Sequence, residues 1–166
     1  EYLNKLLNTD SEDYVIASDT DSLYITFDKL IEKFKPKNPV EFLDKVAKEK
    51  IEPFIDKSYE ELTDIMNAYA QKMFMKRETI SDKGIWTAKK RYMLNVYDNE
   101  GVRYQEPKLK MMGIEAIKSS TPQACRDSIK KAINLIMTKD EKTVQDYIAQ
   151  FKKEFFDLPF EEVAFP

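Results

Sequence analysis

Histidine is absent from this chain, and cysteine occurs once. Without histidine, Ser-His and Cys-His nucleophile systems and every His-ligated zinc site are excluded within the chain. Cys125 alone forms no internal disulfide and no CxxC site, a usage that suits a reducing intracellular compartment. No stretch of about 18 apolar residues occurs and no signal-peptide pattern opens the chain, so no membrane partner is expected. Glu1 stands where an initiator Met would, which suggests a segment of something longer. Net charge is nearly missing too: 27 Lys+Arg oppose 30 Asp+Glu, leaving −3. Any phosphate binding then has to come from a local basic cluster on an otherwise acidic body. A hard metal held by carboxylates remains available.

With 42% hydrophobic residues and 12% aromatics, the 166 residues can fill the core of one compact domain, or of one domain with a small appendage. Tyr14-Val15-Ile16-Ala17 and Ser22-Leu23-Tyr24-Ile25-Thr26-Phe27 flank a polar, acidic turn and predict a β-hairpin. Asn38-Pro39 opens a helix, and Pro53 kinks or ends it before the same period resumes from Phe54 to Tyr69. Between Glu41 and Asp64, eight acidic and four basic side chains give −4 (4 − 8), read as a solvated outer face. Strands are predicted over Met73–Ile80, Ile85–Tyr97 and Val102–Lys110, with turns at Asp82-Lys83-Gly84 and Asp98-Asn99-Glu100-Gly101. Helices follow from Thr121-Pro122 to about Met137 and from Asp140 or Thr143. Hairpin, helices, strands, helices: the order predicts an α+β fold with an antiparallel sheet packed with helices. No internal repeat and no low-complexity segment interrupts it.

Two clusters carry chemistry. Asp19 and Asp21 lie one residue apart at the hairpin tip. In an extended segment their side chains share a face and could approach one cation site. Mg²⁺ takes one or two carboxylates plus substrate phosphates, and two such ions about 3.5–4 Å apart clamp the attacking and leaving oxygens of a phosphoryl displacement. Asp-Thr-Asp also makes ordinary turns, and glycosyltransferases use a DxD as well, so the motif alone does not choose between them. The second cluster, Lys89-Lys90-Arg91-Tyr92, falls inside the longest predicted strand, with Lys89 and Arg91 on one face and Lys90 and Tyr92 on the other. Adjacent cations conflict with a buried face; a phosphate backbone on one side resolves that conflict, and so does an edge strand wet on both faces. From Lys83 to Lys118, eight cations stand against four anions, +4 in a net-negative protein. Charge is segregated into acidic helices and a basic hairpin.

These residues resemble the family B DNA polymerases, especially those of T4-like bacteriophages, over essentially the whole chain. Asp19-Thr20-Asp21-Ser22-Leu23-Tyr24 is similar to the YGDTDS motif of the palm, with Ala17-Ser18 in place of Tyr-Gly. Lys89-Lys90-Arg91-Tyr92 is similar to the KKxY motif, and Phe74-Met75-Lys76-Arg77-Glu78 to the strand that brings a further acidic residue near the metals. Met112-Gly113-Ile114-Glu115-Ala116-Ile117-Lys118 is similar to the KGxExxR stretch where palm runs into thumb. The resemblance implies the C-terminal part of a palm subdomain over residues 1–112 and the start of a thumb over 113–166. It implies Asp19 and Asp21 as Mg²⁺ ligands in a two-metal site, with Glu78 at its edge. Lys90 and Tyr92 would hold the primer terminus, and Lys89, Arg91 and Lys118 would engage duplex DNA.

The implied partners are primer–template DNA, dNTP and the remainder of the polymerase, through other regions a sliding clamp, in a bacterial host cytoplasm. That remainder comprises the exonuclease, the fingers and the other palm aspartate, which precedes this segment in the family. The metal site is therefore incomplete here, and the isolated chain is expected to be inactive. A subunit of a split polymerase and a non-catalytic DNA-binding module are the alternatives.

Overall fold

The computed structural model describes residues 1–164 and is α+β, with a two-stranded sheet and an antiparallel three-stranded sheet packed with helices. Its elements are α1 (Tyr2–Leu7), β1 (Val15–Asp19), β2 (Ser22–Ile25), α2 (Asp28–Phe34), α3 (Pro39–Val46), a π-helical turn (Ala47–Ile51) and α4 (Glu52–Ile65). Then come β3 (Thr79–Ala88), β4 (Arg91–Asn99), β5 (Val102–Met112), α5 (Gln123–Thr138), α6 (Glu141–Glu154) and α7 (Phe160–Val163). Two compact units result, one of Glu1–Ile80 with Tyr97–Tyr104, the other of Ser81–Val96 with the chain from Gln105 onward.

In the first unit, Leu7, Tyr14 and Leu30 form a buried cluster lined by Leu3, Ile25, Phe27, Phe42, Leu43 and Val46. β1 and β2 pair antiparallel, with a register shift between Val15 and Ala17 and the last pair at Asp19 and Ser22. Asn4 steadies the approach to the hairpin: its amide donates to the Glu12 carbonyl at 2.8 Å and accepts from Glu12 N–H at 3.1 Å. The predicted cap of α3 is present, with the Asn38 side chain accepting from Glu41 N–H at 3.2 Å. Ahead of Pro53 the helix widens into its π turn, in which Glu52 N–H reaches back to the Ala47 carbonyl. Proline has no N–H to give and its ring clashes with the carbonyl four residues earlier, so a wider turn accommodates it. α1 and α2, short and weakly periodic, were not expected from the sequence.

One ion-pair network binds distant parts of this unit. Arg77 donates to Asp44 of α3 through Nε at 3.0 Å and Nη2 at 2.5 Å, and to Asp98 of β4 through Nη1. Its backbone N–H donates to Glu52 of α4 at 2.9 Å. Arg103 of β5 lies 3.7 Å from Asp44 and 3.5 Å from Asp98. Asp98 is fully buried, and Gly101 N–H adds a bond to its Oδ1 at 2.9 Å. Burial alone would disfavour the Arg77 cation, but the hydrogen bonds of Asp44 and Asp98 outweigh it and hold its pKa above the ordinary arginine value. Lys48, 2.8 Å away on the next helical turn, and then Arg77 hold Asp44 below the usual carboxylate range.

The second unit is built on Met93, Ile114, Ala116, Ile133 and Met137, with Ile85, Leu109, Met111 and Ile129 packed around them. β4 is the middle strand of the order β3-β4-β5, so consecutive residues Met93 to Val96 are all buried rather than alternating. Asn95 tolerates this by donating to Asp82 at 2.7 Å. Lys83 donates to the Met137 carbonyl near the end of α5 at 2.6 Å, where helix carbonyls lack partners. The Asp140 cap of α6 is present, accepting from Thr143 N–H at 2.9 Å.

The sheet corrects the predicted strand boundaries. Met73–Glu78 is not a strand: β3 starts at Thr79 and runs straight through Asp82-Lys83-Gly84, which is no turn. Gly84 serves packing instead, since a Cβ there would meet the Trp86 ring at 2.6 Å and Leu94 at 2.8 Å. The long strand predicted over Ile85–Tyr97 is split in two by a turn at Lys89-Lys90. Of the turn predicted at residues 98–101, only Glu100-Gly101 is a turn, at φ 51° and φ 88°, while Asp98 and Asn99 extend β4.

Arg77→Ala would leave Asp98 buried without its closest cation, and the expected loss of stability is about 3–5 kcal/mol in urea unfolding. Arg103→Ala, at a half-exposed site, should cost no more than about 1 kcal/mol. Because folded Asp44 ionises below an unfolded aspartate, its contribution is complete above about pH 4 and is lost as pH falls through the folded value. Asp44→Asn should flatten that part of the stability–pH curve.

Candidate catalytic and nucleic-acid site

The acidic hairpin has a two-residue loop, Thr20-Asp21, closed by the Asp19–Ser22 pair. Thr20 lies in the left-handed region at φ 50°. The extended geometry that would put Asp19 and Asp21 on one face therefore does not apply. Asp19 ends a strand and is half-buried, while Asp21 belongs to the loop and is exposed. Thr20 Oγ1 donates to Asp19 Oδ1 at 3.2 Å, and Ser22 Oγ donates to the Asp19 carbonyl at 3.0 Å. Asp21 is exposed, and no hydrogen bond or ion pair of it occurs among the described residues, so its oxygens keep their acceptor capacity.

Glu78 directly precedes β3 and is exposed. Its carbonyl accepts from Glu100 N–H at 2.6 Å and from Arg77 Nη1 at 3.2 Å. The preceding residues hold local bonds in place of a strand ladder, with Gln71 Nε2 donating to the Met73 carbonyl at 2.6 Å and Met73 N–H donating back to Gln71. Asp19, Asp21 and Glu78 are not gathered together: no group of three potential ligands that could hold a metal stands among the described residues. The donor chemistry of Asp19 and Asp21, two hard carboxylates, still suits Mg²⁺, which completes its shell with water and phosphate oxygens.

The basic residues sit at a hairpin tip rather than inside a strand. Lys89-Lys90 is the loop between β3 and β4, and both lysines are exposed. A turn removes the conflict that three adjacent cations would meet in a half-buried ladder. Lys90 is left-handed at φ 60°. Arg91 begins β4 and turns back, donating from Nη2 to both oxygens of Glu115, to Oε1 at 2.6 Å. Lys118 donates to the same carboxylate at 3.3 Å. Glu115 is held below the usual carboxylate range by its own backbone N–H, then by Lys118 and Arg91. Tyr92 lies tilted beside Trp86, ring centroids 6.3 Å apart. Lys89 and Lys90 thus present free charge, whereas Arg91 and Lys118 are already paired.

Residues 6–151 match the family described as Divergent Family B DNA polymerase. The chain belongs to that family. It is 46% identical to the DNA-directed DNA polymerase of Enterobacteria phage T4 over 178 aligned residues, covering 99% of this chain and 20% of that protein. Against the DNA-directed DNA polymerase of Escherichia phage RB69 it is 46% identical over 155 residues, covering 85% of this chain and 17% of that protein. This family B chain therefore spans about a fifth of the length of the relatives it matches. Among the described residues, no helix is long and apolar enough to cross a membrane.

Sequence reasoning missed Arg77 and Asp98 as partners, and Glu115 as the acceptor of Arg91. An arginine two residues before a strand and an aspartate near the end of another carry no sequence signal of a mutual ion pair. Asparagine adopts the left-handed region more readily than lysine. Lys90→Asn is therefore expected to keep thermal stability within about 0.5 kcal/mol or raise it, giving a clean charge deletion at the tip.

Proposed function

We propose that this chain supplies the acidic hairpin and the duplex-gripping turn of a family B DNA polymerase, as the C-terminal part of its palm (residues 1–112) and the start of its thumb (from residue 113). The observation that carries the reading is the pair of exposed two-residue hairpin tips. One holds the exposed Asp21 next to the strand-end, half-buried Asp19, the other Lys89 and Lys90, in a chain that belongs to a polymerase family. Asp19 and Asp21 would hold Mg²⁺, with Glu78 at the margin of the site. When bound, a pair of such ions stabilises charge on the attacking and leaving oxygens of nucleotidyl transfer.

The chain's own part is positional. A tight loop closed by the Asp19–Ser22 pair fixes where the carboxylates stand, and the Thr20 hydroxyl bonded to Asp19 keeps one oxygen oriented. A second oxygen of Asp19 and both of Asp21 stay open to ligands. The lysine tip attracts the phosphates of primer–template DNA despite the chain's net charge of −3, because local charge governs contact. The primer 3′-hydroxyl and an incoming dNTP would complete the reacting set.

The remaining polymerase segments are the proposed protein partner. Ile65, Met66, Tyr69 and Phe74 are 79, 69, 104 and 76% exposed, apolar side chains left facing water. They match a chain that is a fifth of its relatives' length, whether the rest is continuous with it or a separate subunit. A non-catalytic DNA-binding module is the second reading. It draws on the absence, among the described residues, of a third carboxylate beside Asp19 and Asp21.

Primer extension decides between them. The chain alone should show no template-directed synthesis, and adding the rest of the polymerase should restore it. Asp21→Asn in the complete assembly should cut the rate by at least about 10³-fold with duplex affinity unchanged. Extension by the chain alone, or full activity with Asp21→Asn, would refute the assignment.

A further inference from the structure

Left-handed backbone at a lysine costs about 1–2 kcal/mol and persists only where the surroundings fix it. At Lys90, φ 60°, two contacts from the segment after β5 meet the turn and the residue that leaves it. Gly113, itself at φ 65°, lies so close to the turn that a Cβ there would fall 2.2 Å from the Lys90 carbonyl oxygen and 3.1 Å from Arg91 Cγ. Only a glycine lets the two backbones approach this far. Two residues on, Glu115 grips the guanidinium of Arg91, the residue that leaves the turn. Arg91 Nε is buried and meets no acceptor, while its Nη2 is held by Glu115 and the side chain as a whole stays half-exposed.

We infer that residues 113–115 form a clasp that sets the Lys89-Lys90 turn, in which Gly113, Glu115 and Arg91 are positioning residues while Lys89 and Lys90 meet phosphate. This rests on the duplex-binding reading above and reassigns Arg91 within it. Arg91 is already paired with Glu115, and the carboxylate it shares with Lys118 would stand beside any phosphate that Arg91 approached. Lys89 and Lys90 have no such partner among the described residues.

Two measurements separate the clasp from the duplex reading. Without DNA, backbone amide resonances of Lys89 and Lys90 report the turn directly. Glu115→Gln, a near-isosteric change at a half-exposed side chain, is expected to shift and broaden both. Unchanged amides would overturn the clasp, whatever the DNA result. Gly113→Ala should disturb the same amides, with its thermal melt showing whether the fold survives.

With duplex primer–template DNA, each phosphate-contacting cation contributes about 0.9 to the slope of log affinity against log salt. Lys89→Ala and Lys90→Asn should each lower that slope by about 1. Arg91→Ala and Glu115→Gln should weaken binding about five-fold, as expected from lost preorganisation, with the slope unchanged. A drop of about 1 in slope for Arg91→Ala, or tighter binding by Glu115→Gln, would make Arg91 a phosphate contact and overturn the clasp. If the lysine variants alter neither affinity nor slope, the duplex reading fails and the positioning role fails with it, even where the amides show the turn to be held.

Discussion

Arg77 stands between two carboxylates from separate parts of the chain, Asp44 on α3 and Asp98 at the end of β4, while its own N–H is fixed by Glu52 on α4. Removing Asp98 from water is costly, and only a close cation with further hydrogen bonds makes it tolerable. The arginine and the Gly101 N–H supply that compensation, so the turn after β4 and the helices α3 and α4 are specified together. The consequence for the site is local. Residues 71–78 have no strand ladder, and the anchoring of Arg77 fixes the backbone immediately next to Glu78. A residue expected to serve a metal site owes its location to a neighbouring structural ion pair.

Basic charge is handled differently in the second unit. Four cations were expected to face DNA along with Tyr92, yet they divide into two kinds. Lys89 and Lys90 leave the sheet at a turn and keep their charge free, while Arg91 and Lys118 converge on Glu115. A run of like charges is thereby split between outward display and internal bracing. The bracing carboxylate removes one charge from the surface but gives the free lysines a defined place. Affinity for a polyanion depends on that preorganisation as well as on the number of cations.

The α+β class, the hairpins over residues 15–25 and 91–112, and the cap at Asn38 were legible because each rests on a local rule, while Asp140 was one of two starts read for α6. Alternation, turn chemistry and capping spacing need no knowledge of distant partners. The register of β3 was not legible. Asp82-Lys83-Gly84 has turn composition, but Asn95 pairs with Asp82 and Trp86 fills the space beside Gly84, so tertiary packing overrides the local preference. The same override moved the lysines from strand to tip. At the candidate site the family resemblance named the residues expected to act. Their geometry was not legible, because a left-handed Thr20 and a left-handed Lys90 are conformations that neither residue type favours by itself.

The π turn at Ala47–Ile51 carries one residue more than an α-helical turn would, and it lies just ahead of Pro53. An α-helix advances by about 100° per residue, so this extra residue resets the angular phase of α4 relative to α3. Chain length here and the proline are therefore coupled. Shortening the turn by one residue would return the Pro53 ring to a clash with the carbonyl of Glu49, unless the proline changed at the same time. Insertions or deletions at this bend are compatible with the fold only in concert with residue 53, which makes the pair a two-position unit of permissible length variation in an otherwise continuous helical segment.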